Sequence, residues 1–394
     1  MSEAPAFRYA VIGSGRQGTA AAYDLGRHGG AESILMADAD LATAQAAATR
    51  VNRLLGSALA QPRQLDARDE DAIADALRGV DVVVCGTPFV YILPVTRAAI
   101  RAGASMVDFG GHTPTVFAQL AMDAEAEAAG VSLVPDCGMG PGMNNTLGAY
   151  VMELLDDPRE VYLWDGGLPQ RPTPPWNYQL TFHVNGLTNE YYGESAFLRD
   201  GKVTMVTAFE EYEEIDFPPL GRLEAFTTTG GASTAPYSFE GQLQVYQNKT
   251  CRWPGHFAQF KAYQQLGLFE TEPIEVGGAT VVPREVYHAL LEPKIRAEPG
   301  FRDVCIIRAK GVGVKDGREA AVIVDMIDYY DEATGFTAME RLTGWHAAIM
   351  AGLIARGAVR RGATAMELAV PASKVVAAAQ ARGIQVSERW EVPE

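Results

Sequence analysis

The chain has 394 residues, 47% of them apolar and 21% charged, which excludes both a disordered polymer and a disulfide-stapled miniprotein and argues for two domains of ordinary size. Thirty-three Lys and Arg against forty-nine Asp and Glu leave a net charge of −16, which repels phosphate backbones and anionic lipid surfaces and so excludes nucleic acid as the expected partner. The uncharged stretches Val82 to Thr96 and Cys137 to Met152 are too short and too rich in Gly and Pro to span a bilayer.

The opening Met1-Ser2-Glu3-Ala4-Pro5 has no basic patch ahead of an apolar run, so a cytoplasmic location is expected. Cys85, Cys137, Cys251 and Cys305 lie far apart with no CxxC pair, which reads as reduced thiols. His28, His183, His288 and His346 show no ligand spacing, and no metal is expected.

From Tyr9 to about Pro135 short β-branched runs alternate with Ala-rich stretches, the texture of a parallel sheet with crossover helices. The expected strands are Tyr9 to Ile12, Ser33 to Ala37, a weak one near Arg63 to Leu65, Val80 to Cys85, Ser105 to Phe109 and Val131 to Val134. Leu41 to Leu55, Asp69 to Leu77 and Thr113 to Ala129 are expected as helices.

The first strand runs into Gly13-Ser14-Gly15-Arg16-Gln17-Gly18 and then a helix-forming stretch, which is the context a GxGxxG dinucleotide fingerprint requires. Gly13 makes the tight turn, Gly15 lets the backbone approach a pyrophosphate, and Gly18 lets helix and strand pack closely; Arg16 and Gln17 open the helix whose amino terminus attracts phosphate. Asp38, twenty residues past Gly18 at the end of the second strand, suits the ribose hydroxyls and repels a 2′-phosphate, so NAD is the expected cofactor. The plain alternative for Asp38 is a solvated strand end. Further contacts are expected at the carboxyl ends of later strands: Asp66, Thr87 and Pro88, Gly110 and Gly111, and Cys137 and Gly138, each of which is otherwise an ordinary turn.

After Pro141 aromatic and β-branched residues alternate with polar ones, as in Tyr178 to Val184 and Lys202 to Phe209, and the region Phe301 to Tyr330 continues this around a turn at Lys315-Asp316-Gly317. A largely antiparallel sheet is expected there. From about Thr343 the chain is helical again. The fold class expected is therefore α/β: a Rossmann domain over 1–140, a substrate-binding and oligomerisation domain over 141–342, and C-terminal helices, 343–394, returning to the first.

Asp136 stands where the last strand of the cofactor domain meets the crossing to the second, so it could hold an amine, or merely cap the turn through Gly138. His256, in a Pro-Gly-His turn, suits a proton shuttle or is a packed histidine. Lys249 or Arg252 offers a cation for a substrate carboxylate, Lys249 being also a catalytic candidate, or else each forms a solvated face. Tyr178 and Thr229 are candidate pocket walls, though aromatics in alternating strands are more often core. Cys137 reads as a small residue lining the cofactor pocket.

Gly13 to Gly18 with Asp38, then Val107-Asp108-Phe109-Gly110-Gly111 and Val134-Pro135-Asp136-Cys137-Gly138-Met139-Gly140-Pro141-Gly142, resemble the saccharopine dehydrogenase-like superfamily. Trp164-Asp165-Gly166-Gly167-Leu168-Pro169 continues the resemblance, and the segments Leu223 to Gly231 and Lys249 to His256 are similar to its lysine-deaminating branch, the L-lysine 6-dehydrogenases. His112 departs from the pattern, which has a neutral amide after the Gly-Gly pair. The resemblance implies oxidation of the side-chain amine of L-lysine by NAD in a homo-oligomer built on dimers, giving 2-aminoadipate 6-semialdehyde, ammonia and NADH, with the semialdehyde cyclising to a piperideine carboxylate.

Such an oxidation needs a neutral amine, because an ammonium has no lone pair to stabilise the developing iminium. Neutralising an amine of pKa about 10.4 at pH 7 costs roughly 4.6 kcal/mol, so a base and an alkaline pH optimum are expected. A saccharopine reductase or other imine-forming dehydrogenase would need a second anion site, and Thr227 to Pro236 contains no arginine. A NAD-binding regulatory protein without turnover is the more distant alternative.

Overall fold

The computed structural model describes residues 6–181, 184–298 and 300–391. Its strands, in chain order, are β1 (Phe7–Ile12), β2 (Ala31–Asp38), β3 (Ala60–Gln64), β4 (Val82–Cys85), β5 (Ser105–Asp108), β6 (Ser132–Val134), β7 (Asp157–Pro169), β8 (Glu194–Arg199), β9 (Lys202–Thr207), β10 (Glu213–Phe217), β11 (Gly221–Thr227), β12 (Val245–Arg252), β13 (Ile274–Val276), β14 (Ala279–Val281), β15 (Asp303–Lys315), β16 (Arg318–Tyr329), β17 (Gly362–Ala363) and β18 (Gln385–Glu391).

The first sheet is parallel throughout, in the order β17-β6-β5-β4-β1-β2-β3. Central strands buried on both faces read as unbroken apolar runs, and β4, Val82-Val83-Val84-Cys85, is buried at every position. The helix Leu41–Leu55 begins where Asp40 accepts the Ala42 and Thr43 N–H groups and stops at left-handed Gly56, φ +63°.

The second sheet runs β10-β11-β12-β7-β15-β16-β18, with β8 pairing β12 and β9 pairing β8. Within it only β12 and β7 lie parallel, so this is the largely antiparallel sheet of an α/β domain.

Three expectations need amendment. Thr113 to Ala129 is not one helix but two, Thr113–Leu120 and Asp123–Ala128, and the break leaves Asp123 free to accept the Ala363 N–H at 2.7 Å and pair with Arg360. The stretch expected as strand over Tyr178 to Val184 forms none among its described residues: Tyr178 and Leu180 pack into an aromatic cluster with Tyr191, Phe226 and Phe260, a helix runs Val184–Glu190, and Phe182 and His183 lie outside the described residues. The tail divides between the sheets, since β17 extends the first while β18 covers the edge of β16 in the second.

The helix Ala338–Ala355 locks the halves together. Thr337 and Glu340 form its capping box, and the buried Asp303 carboxylate accepts the N–H groups of Ala338 and Met339 at 2.7 and 2.9 Å. Gly344 lies against the glycine-loop helix so closely that a Cβ there would stand 2.6 Å from the Gln17 carbonyl oxygen.

Candidate active site

The glycine loop after β1 has three glycines that the fold constrains differently. Gly13 has φ +96°, and a Cβ on it would meet Gly86 at 2.6 Å; a Cβ on Gly18 would stand 2.1 Å from the Gly13 carbonyl oxygen and 3.0 Å from Val11. A Cβ on Gly15 would meet nothing within 4 Å, so the fold itself does not require glycine there. Behind it the helix Arg16–His28 opens with no side-chain cap, leaving its first N–H groups for an anion.

Asp38 closes the far side of this cradle. Its carboxylate accepts the Ser14 N–H at 2.9 Å and the Asp40 N–H at 3.1 Å, which aims it at the glycine loop and is not the posture of a solvated strand end. These residues fit a dinucleotide. Arg16 turns from the loop to Glu340, at 2.6 Å, while Gln17 reaches the cavity described next.

A cavity of about 340 Å³ lies between the carboxyl edge of the first sheet and the second sheet. Gln17, Phe109, Gly110, Gly138, Met139 and Gly140 line it from the first domain side; Asp165, Gly166, Gly167, Tyr178, Glu190, Thr228, Thr229, Gly231, Asn248, Thr250 and Arg252 line it from the other, with Met339 and Thr343. A strand points alternate residues to opposite faces, so Asn248, Thr250 and Arg252 share the cavity face of β12.

Arg252 is buried, donates to Tyr191 Oη at 3.0 Å and pairs with Glu190 at 3.0 Å. Burial pushes Glu190 up to about 7 although Arg252 pulls the other way. Asp165 is pushed up to about 6, again by burial, against a hydrogen bond from Asn144 at 2.9 Å and the charge of Arg252. Among the described residues that line the cavity, Arg252 is the one Lys or Arg, and Asp165 and Glu190 are the carboxylates.

Tyr178, Thr229 and Arg252 are therefore brought together as expected, and so are Gln17, Gly110 and Gly138. The three candidate catalytic residues are not. Lys249 sits on the other face of β12, where it pairs with Glu213 at 3.1 Å and donates to the Glu211 carbonyl at 2.8 Å. His256 is one layer behind the wall, 1% exposed and stacked on Phe260. The Tyr191 hydroxyl accepts from Arg252 at 3.0 Å and hydrogen-bonds with His256 Nε2 at 2.9 Å; burial first, then Arg252, hold the ring's pKa well below the usual histidine range.

Asp136 is the third. Its left-handed backbone, φ +61°, turns the carboxyl beneath Gly110, where it takes the Gly111 N–H at 3.3 Å and the Ser233 hydroxyl from across the domain junction. Burial and the neighbouring Asp108 push it up to about 7, but it does not line the cavity. It is a clasp between domains rather than an open base.

The remaining cofactor candidates lie off this cavity, as Gly13, Gly15 and Asp38 do: Asp66 is held by Arg68 at 2.6 Å on a separate surface hollow, Thr87 bonds Cys85 Sγ at 3.2 Å with its backbone beside Gly13, and Pro88 leads into the turn Phe89–Tyr91. Gly111 serves Asp136 through its N–H, and Cys137 points inward to the Val134 carbonyl, fully buried. His112 faces away, stacked on Phe89 with centroids 4.3 Å apart. What sequence reading overlooked is Asp165, Glu190, Asn248 and Asn144; period-two alternation from Arg252 would have found Asn248 and rejected Lys249.

The model of the saccharopine dehydrogenase C-terminal domain matches residues 138–383, and that of the saccharopine dehydrogenase NADP binding domain matches residues 9–134. This chain belongs to the saccharopine dehydrogenase family. The carboxynorspermidine synthase of Vibrio cholerae is 22% identical over 67% of this chain and 66% of its own length. The saccharopine dehydrogenase [NADP(+), L-glutamate-forming] of Pyricularia oryzae is 24% identical over 54% of this chain and 48% of its own length. The chain thus spans about two thirds and about half of these curated relatives.

Among solved structures, apo saccharopine dehydrogenase (L-Glu forming) from Saccharomyces cerevisiae superposes with a TM-score of 0.78 at 18% identity, covering 98% of this chain and 100% of that one. Homospermidine synthase from Legionella pneumophila, in complex with NAD, superposes with a TM-score of 0.65 at 11% identity, covering 99% and 93%. Both share the fold of this saccharopine dehydrogenase family member, an α/β protein with a Rossmann-like parallel sheet and a second mixed sheet. No helix among the described residues is long and apolar enough to cross a membrane, and no three of their His, Cys, Asp or Glu side chains gather as a metal site.

Proposed function

We propose that the chain oxidatively deaminates the side-chain amine of L-lysine with NAD, releasing ammonia and 2-aminoadipate 6-semialdehyde. The observation that carries this reading is the charge pattern of the cavity: one guanidinium, Arg252, and two carboxylates, Asp165 and Glu190, among the described lining residues. An amino acid with two amines matches it, its carboxylate to Arg252 and its ammonium groups to the acids. Saccharopine carries three carboxylates and would face one cation and two acidic walls.

The bare amides around Gly15 would hold the pyrophosphate, and Asp38 the adenosine ribose. When bound, the oxidised nicotinamide supplies the hydride acceptor. The residues of the chain orient the substrate, exclude water through the aromatic layer behind Tyr178, and hold the proton that the ammonium must lose. The Asp38 carboxylate favours NAD; the pairing of Ala37 with Arg63 on the neighbouring strand, and the name of the matching family model, favour NADP. Titrating both dinucleotides decides, with NAD expected to bind at least tenfold tighter.

A second reading, a saccharopine dehydrogenase, is favoured by the name of the Pyricularia oryzae relative. The test is purified protein with L-lysine and NAD, followed by NADH absorbance and ammonia release, beside saccharopine with NAD and beside lysine, 2-oxoglutarate and NADH. Ammonia with lysine alone is expected; turnover of saccharopine without turnover of lysine overturns the proposal.

A further inference from the structure

The cavity holds two carboxylates, and only one is placed to do chemistry on an amine. Asp165 lies on β7 beside Thr250 of β12, and it abuts the loop that follows β6: a Cβ on Gly140 would stand 2.9 Å from Asp165 Oδ2. That loop is at the carboxyl edge of the first sheet, where a nicotinamide is expected in a doubly wound domain. Glu190 occupies the other wall, committed to the Arg252 guanidinium at 3.0 Å.

The orientation of Asn144 makes Asp165 an acceptor rather than a donor. Asn144 Oδ1 accepts the N–H groups of Gly142 at 3.0 Å and Asn145 at 2.7 Å, so its Nδ2 must face outward, giving one hydrogen to Asp165 Oδ2 at 2.9 Å and another to the Gly231 carbonyl at 2.9 Å. A fixed N–H donor favours the ionised carboxylate. Asp136 and His256 are both engaged elsewhere and off the cavity.

We propose that Asp165 is the catalytic base that takes the proton from the substrate ammonium, with Asn144 as the positioning residue that holds it. The inference rests on reading this cavity as an amine-oxidising site. In the step one N–H bond of the ammonium breaks and one O–H bond forms on the carboxyl; no electrons change hands, and the amine lone pair is freed while the substrate carboxylate stays at Arg252. The groups that face Asp165 are Arg252, which lowers its pKa, Glu190, and the thiols of Cys251 and Cys305, which burial keeps protonated.

The test is the Asp165→Asn enzyme, with Asp165→Glu beside it, assayed from pH 6 to pH 11. Removing a positioned base costs about 100-fold to 10,000-fold in rate, so kcat of Asp165→Asn falls at least 100-fold at pH 8. Its rate then climbs about tenfold per pH unit toward the pKa of the free amine, about 10.4, while the wild-type rate levels off earlier. Dinucleotide affinity by calorimetry stays within twofold, and Asp165→Glu recovers part of kcat.

An Asp165→Asn enzyme with near wild-type kcat, one whose pH profile matches the wild type, or one changed only in KM overturns the assignment. Should Asp165→Asn fail to fold, Asp165→Glu carries the test, because an acid limb identical to that of the wild type overturns it equally. If wild-type protein ignores lysine but oxidises saccharopine, the function reading fails, and the same variants assayed on saccharopine still decide the role of Asp165.

Discussion

At the loop from Gly13 to Gly18 the working parts are backbone amides and absent side chains, whereas at β12 they are side chains on one face of a sheet. Within six consecutive residues the fold requires glycine at Gly13 and Gly18 and leaves open space at Gly15. The cavity gathers Asp165, Glu190, Thr229, Asn248 and Arg252 from four separate segments of the chain, and Asn144, from a fifth, holds Asp165 from behind the lining. A site made of backbone is written locally; a site made of side chains exists only once the sheets pair.

The sharpest break of that comparison is a pair of glycine variants. Gly18→Ala puts a methyl group 2.1 Å from a carbonyl oxygen and is expected to lose about 3 kcal/mol of stability or fail to fold, whereas Gly15→Ala, with nothing within 4 Å, keeps the melting temperature and loses at least tenfold in NAD affinity. Thermal melts and calorimetry on both read this; unchanged NAD affinity in Gly15→Ala would mean that the loop is not the phosphate cradle. In the cavity, Arg252→Met strips the partly exposed Glu190 of its guanidinium partner and raises KM for lysine at least tenfold with little change in NAD affinity.

The buried acids set a pH dependence with a definite sign. Asp136, Glu190 and Asp328 are pushed up to about 7, and Asp165 and Asp303 to about 6, chiefly by burial. Between pH 4 and pH 7 the folded chain therefore keeps protons that the unfolded chain has released, and stability falls as pH rises through this window. The buried His256 and His346, whose pKa burial lowers, oppose this below about pH 6.5, so the test is a difference: the melting temperature of Asp136→Asn is expected to fall less with pH than that of the wild type from pH 5 to pH 8, and an identical slope contradicts the burial of that acid.

Lys249→Met gives a smaller effect: on the far face of β12 it should cost about 1 kcal/mol and leave kcat/KM within about twofold, whereas Thr250→Val on the cavity face lowers kcat/KM about tenfold. Smallest of all, native protein should resist iodoacetamide, since all four cysteines are buried and burial holds their thiols protonated. Rapid labelling of Cys137 with loss of activity would place it in the cofactor pocket after all.

The parallel sheet, the helix Leu41–Leu55, the turn at Lys315 to Gly317 and the glycine loop with Asp38 were all legible along the chain, because each depends on neighbours within a few residues or on a fixed spacing. Tyr178 to Val184 misled, since its alternation served an aromatic cluster and not a strand. Asp136, His256 and Lys249 have the right chemistry in suggestive motifs, yet burial, a left-handed backbone and the wrong face of a strand take them from the cavity. Asp165 stands in the Trp164 to Pro169 motif without any sign of its role, and Glu190 carries no local mark at all. Which carboxylate lines the cavity and which clasps two domains depends on sheet register and on the closure of the first sheet over the second, and those are set by packing between residues more than eighty positions apart.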